Sequence, residues 1–187
     1  MADRIMPGPV EQRGGGGGSA GRVHVHTSKI FSACRDKDCI DDLRVYPTAS
    51  SQAILNSAFS VRPDSATLLY ADVSVSEIGF NRGYYTVDVT YYYKITGQTF
   101  PGGVPITGLS VFDKRVILYG SEGSVKTFTS NGGPGMLSPA FQNPVAVVAA
   151  VDPIALNLRI AETPCAETEL RSIPEPIMEY LGEELNL

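Results

Sequence analysis

Cys34 and Cys39 enclose the run Arg-Asp-Lys-Asp in a strongly polar loop, and they are the residues of this chain best placed to do chemistry. Thiols at this separation can join as a disulfide or supply two ligands to zinc. Four intervening residues is wide for a redox-active C-x-x-C, and the spacing permits zinc without arguing for it. His24 and His26 could complete a zinc site, because alternate residues share one face of a strand about 7 Å apart. The structural reading of the same loop is a disulfide pinning a corner of the fold, a closure that contributes on the order of 2 kcal/mol. Under oxidising conditions we favour the disulfide.

Asp36, Asp38, Asp41 and Asp42 crowd the same segment and offer oxygen ligands for calcium. The order lacks the glycine and terminal glutamate of an EF-hand loop. Arg35, Lys37 and Arg44 lie close enough to neutralise the carboxylates, which favours a salt-bridged surface loop. A third cysteine, Cys165, leaves an odd thiol after one internal pair. It reads equally as an intermolecular link or as a small residue in a proline-flanked tail.

Little else supports catalysis. The histidines number two, no G-x-S-x-G elbow occurs, and the glycine runs lack the Lys-Ser/Thr of a phosphate loop. The expectation is a non-enzymatic protein with no cofactor.

These residues must be held by β structure. Val23 to Ile30 alternates with period two and predicts a first strand. Leu43 to Tyr46 predicts a short strand stopped by Pro47. Gln52 to Val61 is ambiguous: Ala53-Ile54-Leu55 could begin a helical turn, but Phe59-Ser60-Val61 before Pro63 favours extended chain. Thr67 to Ile78 and Tyr84 to Thr96 form a long pair around the turn Gly79 to Gly83. On the returning strand Tyr85, Val87, Val89, Tyr91, Tyr93 and Ile95 share a core-like face. Tyr84, Thr86, Asp88, Thr90, Tyr92 and Lys94 share a polar one.

Ile106 to Leu118 and Val125 to Thr129 continue the pattern, and Val145 to Val151 and Ile154 to Ile160 predict two closing apolar strands. Seven or eight strands without a helical period predict an all-β domain over residues 23–160, an antiparallel β-sandwich or jelly roll. Barrel closure is the alternative.

Flanking that domain, residues 1–22 read as a flexible arm. Its Gly14 to Gly18 spacer follows Ile5, Met6 and Val10, which could dock on a neighbour. Residues 161–187 form an acidic, proline-punctuated tail in which Pro176 could open a short helix with Ile177, Leu181 and Leu185 on one side. So short a helix needs a partner surface, on its own body or another chain. Tyr84 and Tyr92 could stack on sugars or pack in a subunit interface.

The 187 residues suit one domain with tails. Seven Glu against one Arg in the tail account for the net charge of -5, so the body is nearly neutral. A neutral body without a basic cluster argues against nucleic acid as a partner. No apolar run is long enough for a membrane span, and no secretory signal opens the chain.

The segments at 34–46 (CRDKDCIDDLRVY), 79–89 (GFNRGYYTVDV) and 111–123 (VFDKRVILYGSEG) resemble uncharacterised proteins of clostridia-type spore formers. The likeness covers roughly residues 29–160 and implies a spore or envelope setting, but no activity. The layout of arm, glycine spacer and β domain is also similar to bacterial endospore appendage subunits. Those carry cysteines in the arm, whereas residues 1–22 here have none.

The function expected is therefore a structural subunit that binds copies of itself through arm or tail exchange, in a filament or a spore or cell-surface layer. A cytoplasmic location is the alternative setting. The other functional reading is a monomeric binding module for carbohydrate or peptide.

Overall fold

In the computed structural model, residues 29–120, 144–161, 173–182 and 185 are described, and Phe31–Leu187 belong to one compact unit. Its frame is a single antiparallel sheet of four strands in the order β1-β4-β3-β2. These are β1 (Val45–Pro47), β2 (Ser60–Glu77), β3 (Tyr84–Phe100) and β4 (Pro105–Tyr119). Two short helices, α1 (Ala49–Leu55) and α2 (Glu175–Leu181), complete the regular structure.

The long strands follow from alternation of β-branched and aromatic residues with polar ones. A turn with Ile78 N–H donating to Tyr84 O at 3.1 Å joins β2 to β3, and Gly83 takes a φ of 84° that a side chain would resist. Gly102 and Gly103 make the next turn, where Gly103 N–H reaches Thr99 O at 2.9 Å. Register shifts at Pro63/Ser65 and Leu68/Tyr70 accommodate a missing amide donor and a change of facing along β2.

Both faces of the sheet are used, at different heights. Tyr85, Val87 and Val89 are buried on the face expected to be core-like. On the opposite face, the end near Asp88 and Arg115 is polar, while Tyr92 and Leu109 are buried under Ile177 and Leu181 of α2. Pro176 sits in the first turn of α2 and Gly182 ends it with a φ of 71°. Leu185, just beyond, packs against this cluster and bridges to Thr48.

Several elements differ from the sequence reading. Helix α1 forms where extended chain was favoured, because Thr48 caps it: its side chain accepts from Ser51 N–H at 3.3 Å. Ser51 Oγ in turn accepts from Thr107 N–H at 2.9 Å, tying the helix to β4. The segments Val145 to Val151 and Ile154 to Ile160 have no regular secondary structure and pair with no strand among the described residues. Alternation gave them strand character, yet Leu158 lies over Gly97 and Pro144 lies beside Tyr85 and Gly120, so they cross the sheet instead of joining its ladder. Among the described residues there is thus one sheet and no second layer of strands. Lys29 and Ile30 are not in a strand, and the rest of that predicted strand, with Val125 to Thr129 and the arm, lies outside the described residues.

Candidate functional site

The segment bearing Cys34 and Cys39 has no regular structure and reaches the sheet through charge. Nζ of Lys114, on β4, lies 2.7 Å from the Asp36 carboxylate and also contacts that of Asp38. Lys37 N–H donates to Asp36 at 2.8 Å. The Lys114 hydrogen bond, then that amide, hold the Asp36 carboxyl below its ordinary value. The hydrogen bonds that Lys114 donates to Asp36 and then Asp38 raise its own pKa in turn. A second contact, Arg159 with Asp42, ties the end of the loop to the extended segment, and Asp42 itself turns the chain with a φ of 58°. Asp36, Asp38 and Asp42 are thus ion-paired, but with Lys114 and Arg159 from distant parts of the chain and not with the neighbouring Arg35, Lys37 and Arg44 that the sequence suggested.

Cys34 and Cys39 are exposed free thiols on either side of this clamp. Among the described residues, no three His, Cys, Asp or Glu side chains converge as metal ligands. His24 and His26, the remaining members of the zinc hypothesis, lie outside the described residues, as do Cys165 and the arm residues Ile5, Met6 and Val10.

Next to Lys114 a row of rings occupies the same face of the sheet. Tyr91 stacks with Tyr93 at 6.1 Å between centroids and with Phe112 at 6.3 Å. Burial, then the neighbouring Tyr91 and Asp38, raises the Tyr93 hydroxyl pKa. The tyrosines singled out from sequence are placed elsewhere. Tyr92 is buried against α2, with the Tyr70 ring 6.1 Å away, because the helix covers the polar face at this height. Tyr84 is partly exposed and meets Tyr119 edge-on at 5.5 Å. Ile177 and Leu181 are buried in the protein's own core, so the tail helix finds its partner surface on the same chain.

A groove of about 450 Å³ opens between α1, the sheet and the end of the extended segment, lined by Leu55, Val61, Ile106, Leu158 and Arg159 among others. Among the described residues Arg159 is the one ionisable side chain of that lining, which also includes the polar Gln52, Asn56 and Thr107.

The feature least visible in the sequence is the outer side of residues 144–161. Val145, Val147, Val151, Ile154 and Leu156 are each at least 79% exposed. Period-two alternation located the segment, but only the structure reveals how exposed its outward residues are. Comparison with known proteins returns no matching family, no matching curated protein and no matching solved structure. Among the described residues, no helix is long and apolar enough to cross a membrane.

Proposed function

We propose that this chain is a non-enzymatic structural subunit whose function is to associate with copies of itself. The observation that carries this reading is the uncovered apolar surface of the body. Phe59, Phe80, Val145, Val147, Val151, Ile154 and Leu156 are nearly fully exposed, and five of them share the one short segment 145–156. A single sheet with this much apolar surface outside its ladder gains further burial from a second copy. In this reading the β-sandwich expected from the sequence is completed on assembly, with the N-terminal arm supplying a further contact to a neighbour. The filament or surface layer, and the spore or cell-surface setting implied by the resemblance, are part of the same proposal.

The size distribution of the intact chain, with and without reductant and with residues 1–22 deleted, tests it. Assembly that grows with concentration and collapses on deletion supports arm-mediated association; a chain that stays monomeric throughout overturns it. The Tyr91, Tyr93 and Phe112 row favours the second reading, a binding module for carbohydrate, since stacked rings present flat apolar area. In that case sugar binding survives deletion of the arm and falls with Tyr91→Ala.

A further inference from the structure

We infer that the groove between α1 and the sheet is the acceptor for the N-terminal arm of a second copy, taking residues 5–10 with Glu11 against Arg159. The inference rests on the self-assembly reading above and names the two surfaces that meet.

The groove exists because two strand positions carry no side chain. Gly97 on β3 and Gly108 on β4 form part of its lining. A Cβ would stand 2.6 Å from the Arg62 carbonyl oxygen at Gly97 and 2.7 Å from that of Tyr46 at Gly108, so glycine is built into both places. Val61 and Ile106 lie buried within it, and Leu55 and Leu158 are further apolar lining. A volume of about 450 Å³ is that of a ligand cleft, enough for the side chains of a short apolar peptide.

The polar groups of the lining suit a main chain. Nε2 of Gln52 donates to Oδ1 of Asn56 at 2.8 Å, which leaves the Asn56 amide hydrogens as donors and the Gln52 carbonyl oxygen as acceptor. Arg159 meets Asp42 through one terminal nitrogen, and its remaining N–H groups can take a second carboxylate.

The arm matches these features. Residues 5–10, Ile-Met-Pro-Gly-Pro-Val, are uncharged, and Glu11 follows them directly with a carboxylate for Arg159. Pro7 and Pro9 bring carbonyl acceptors without N–H donors, which suits a lining with few acceptors, and their fixed φ lowers the entropy lost on docking. Residues 11–28, with five consecutive glycines, join this stretch to the body. A glycine-rich chain of that length reaches on the order of 25 Å. That exceeds the roughly 15 Å radius of gyration of a body this size, so a neighbour is within range. An arm-to-groove contact is heterologous, and it propagates unless a pair of chains closes on itself.

Size distributions of the intact chain over a concentration series test the pairing through two complementary variants. I5K/V10K spoils the arm and leaves the groove, whereas A58F fills the groove, which Ala58 lines, and leaves the arm. Each alone is expected to associate at least about 10-fold more weakly than the wild type. An equimolar mixture should form a two-chain complex that grows no further, because one sound arm meets one sound groove. A mixture that stays monomeric overturns the inference. Wild-type association by either variant overturns it too, and where A58F assembles while I5K/V10K does not, the arm-mediated reading stands. An intact chain monomeric at every concentration overturns both. Should A58F lose the wild-type circular dichroism spectrum, the charge pair decides: R159E is expected to weaken association about 10-fold and E11R/R159E to restore it. Failure of that double variant to recover overturns the placement of Glu11 against Arg159.

Discussion

Lys114 holds Asp36 at 2.7 Å, and through that contact the sheet fixes a segment with no secondary structure of its own. The pair spans 78 positions of sequence, so the loop gains a tertiary anchor despite having no ladder hydrogen bonds.

Replacing Lys114 by Ala should release the loop. Trypsin cleavage after Arg35 and Lys37 is expected to accelerate by about 10-fold, because local opening becomes easier. Unchanged cleavage would show that Arg159 with Asp42 suffices alone.

The same anchor carries a defined pH dependence. Asp36 is depressed from its ordinary 3.8, so its contribution is present above that value and disappears as pH falls through the lower folded value. Lys114 is raised, so its contribution is complete below its ordinary 10.5 and is lost as pH climbs through the higher folded value. Loop protection from trypsin-like or pepsin-like cleavage should accordingly hold across neutral pH and fail first in strong acid.

Mild oxidation with diamide should close Cys34 to Cys39. Both thiols are exposed and sit on one short loop, so the expected product is a monomer about 2 Da lighter. Dimers linked through either residue would instead mean that the clamp holds the two sulfurs apart.

Ile177 is fully buried beneath the sheet, and Ile177→Ala removes the side chain that joins α2 to Tyr92 and Leu109. A loss of about 2–5 kcal/mol in urea unfolding is expected. A change below about 0.5 kcal/mol would mean that the tail does not dock on its own body in solution.

At Gly108 β4 lies close against β1. A Cβ there would stand 2.7 Å from both the Tyr46 carbonyl oxygen and a Val45 methyl, so Gly108→Ala should cost about 1–3 kcal/mol. Gly79 has nothing within 4 Å of the same construction, and Gly79→Ala should stay within about 0.5 kcal/mol.

Much of the frame was legible in the residues themselves. Alternation placed the three long strands and the Gly79 to Gly83 turn, and the charge balance around Cys34 and Cys39 pointed to a salt-bridged loop. Helix α1 was missed because its signal is one capping threonine, outweighed on paper by Phe59-Ser60-Val61 just after it. The buried position of Tyr92 was missed because it depends on a helix more than 80 residues further on.

By itself, then, the sequence determined which segments are extended and which side chains share a face, since period two is a local property of the backbone. Only the tertiary structure decided which extended segments pair and which face is covered. Val87 and Val147 sit in similar alternating apolar runs, yet one is buried in a ladder and the other stands 89% exposed in a segment that joins no ladder among the described residues. Hydrogen-bond partners and burial are relations between distant parts of the chain, and local spacing does not encode them.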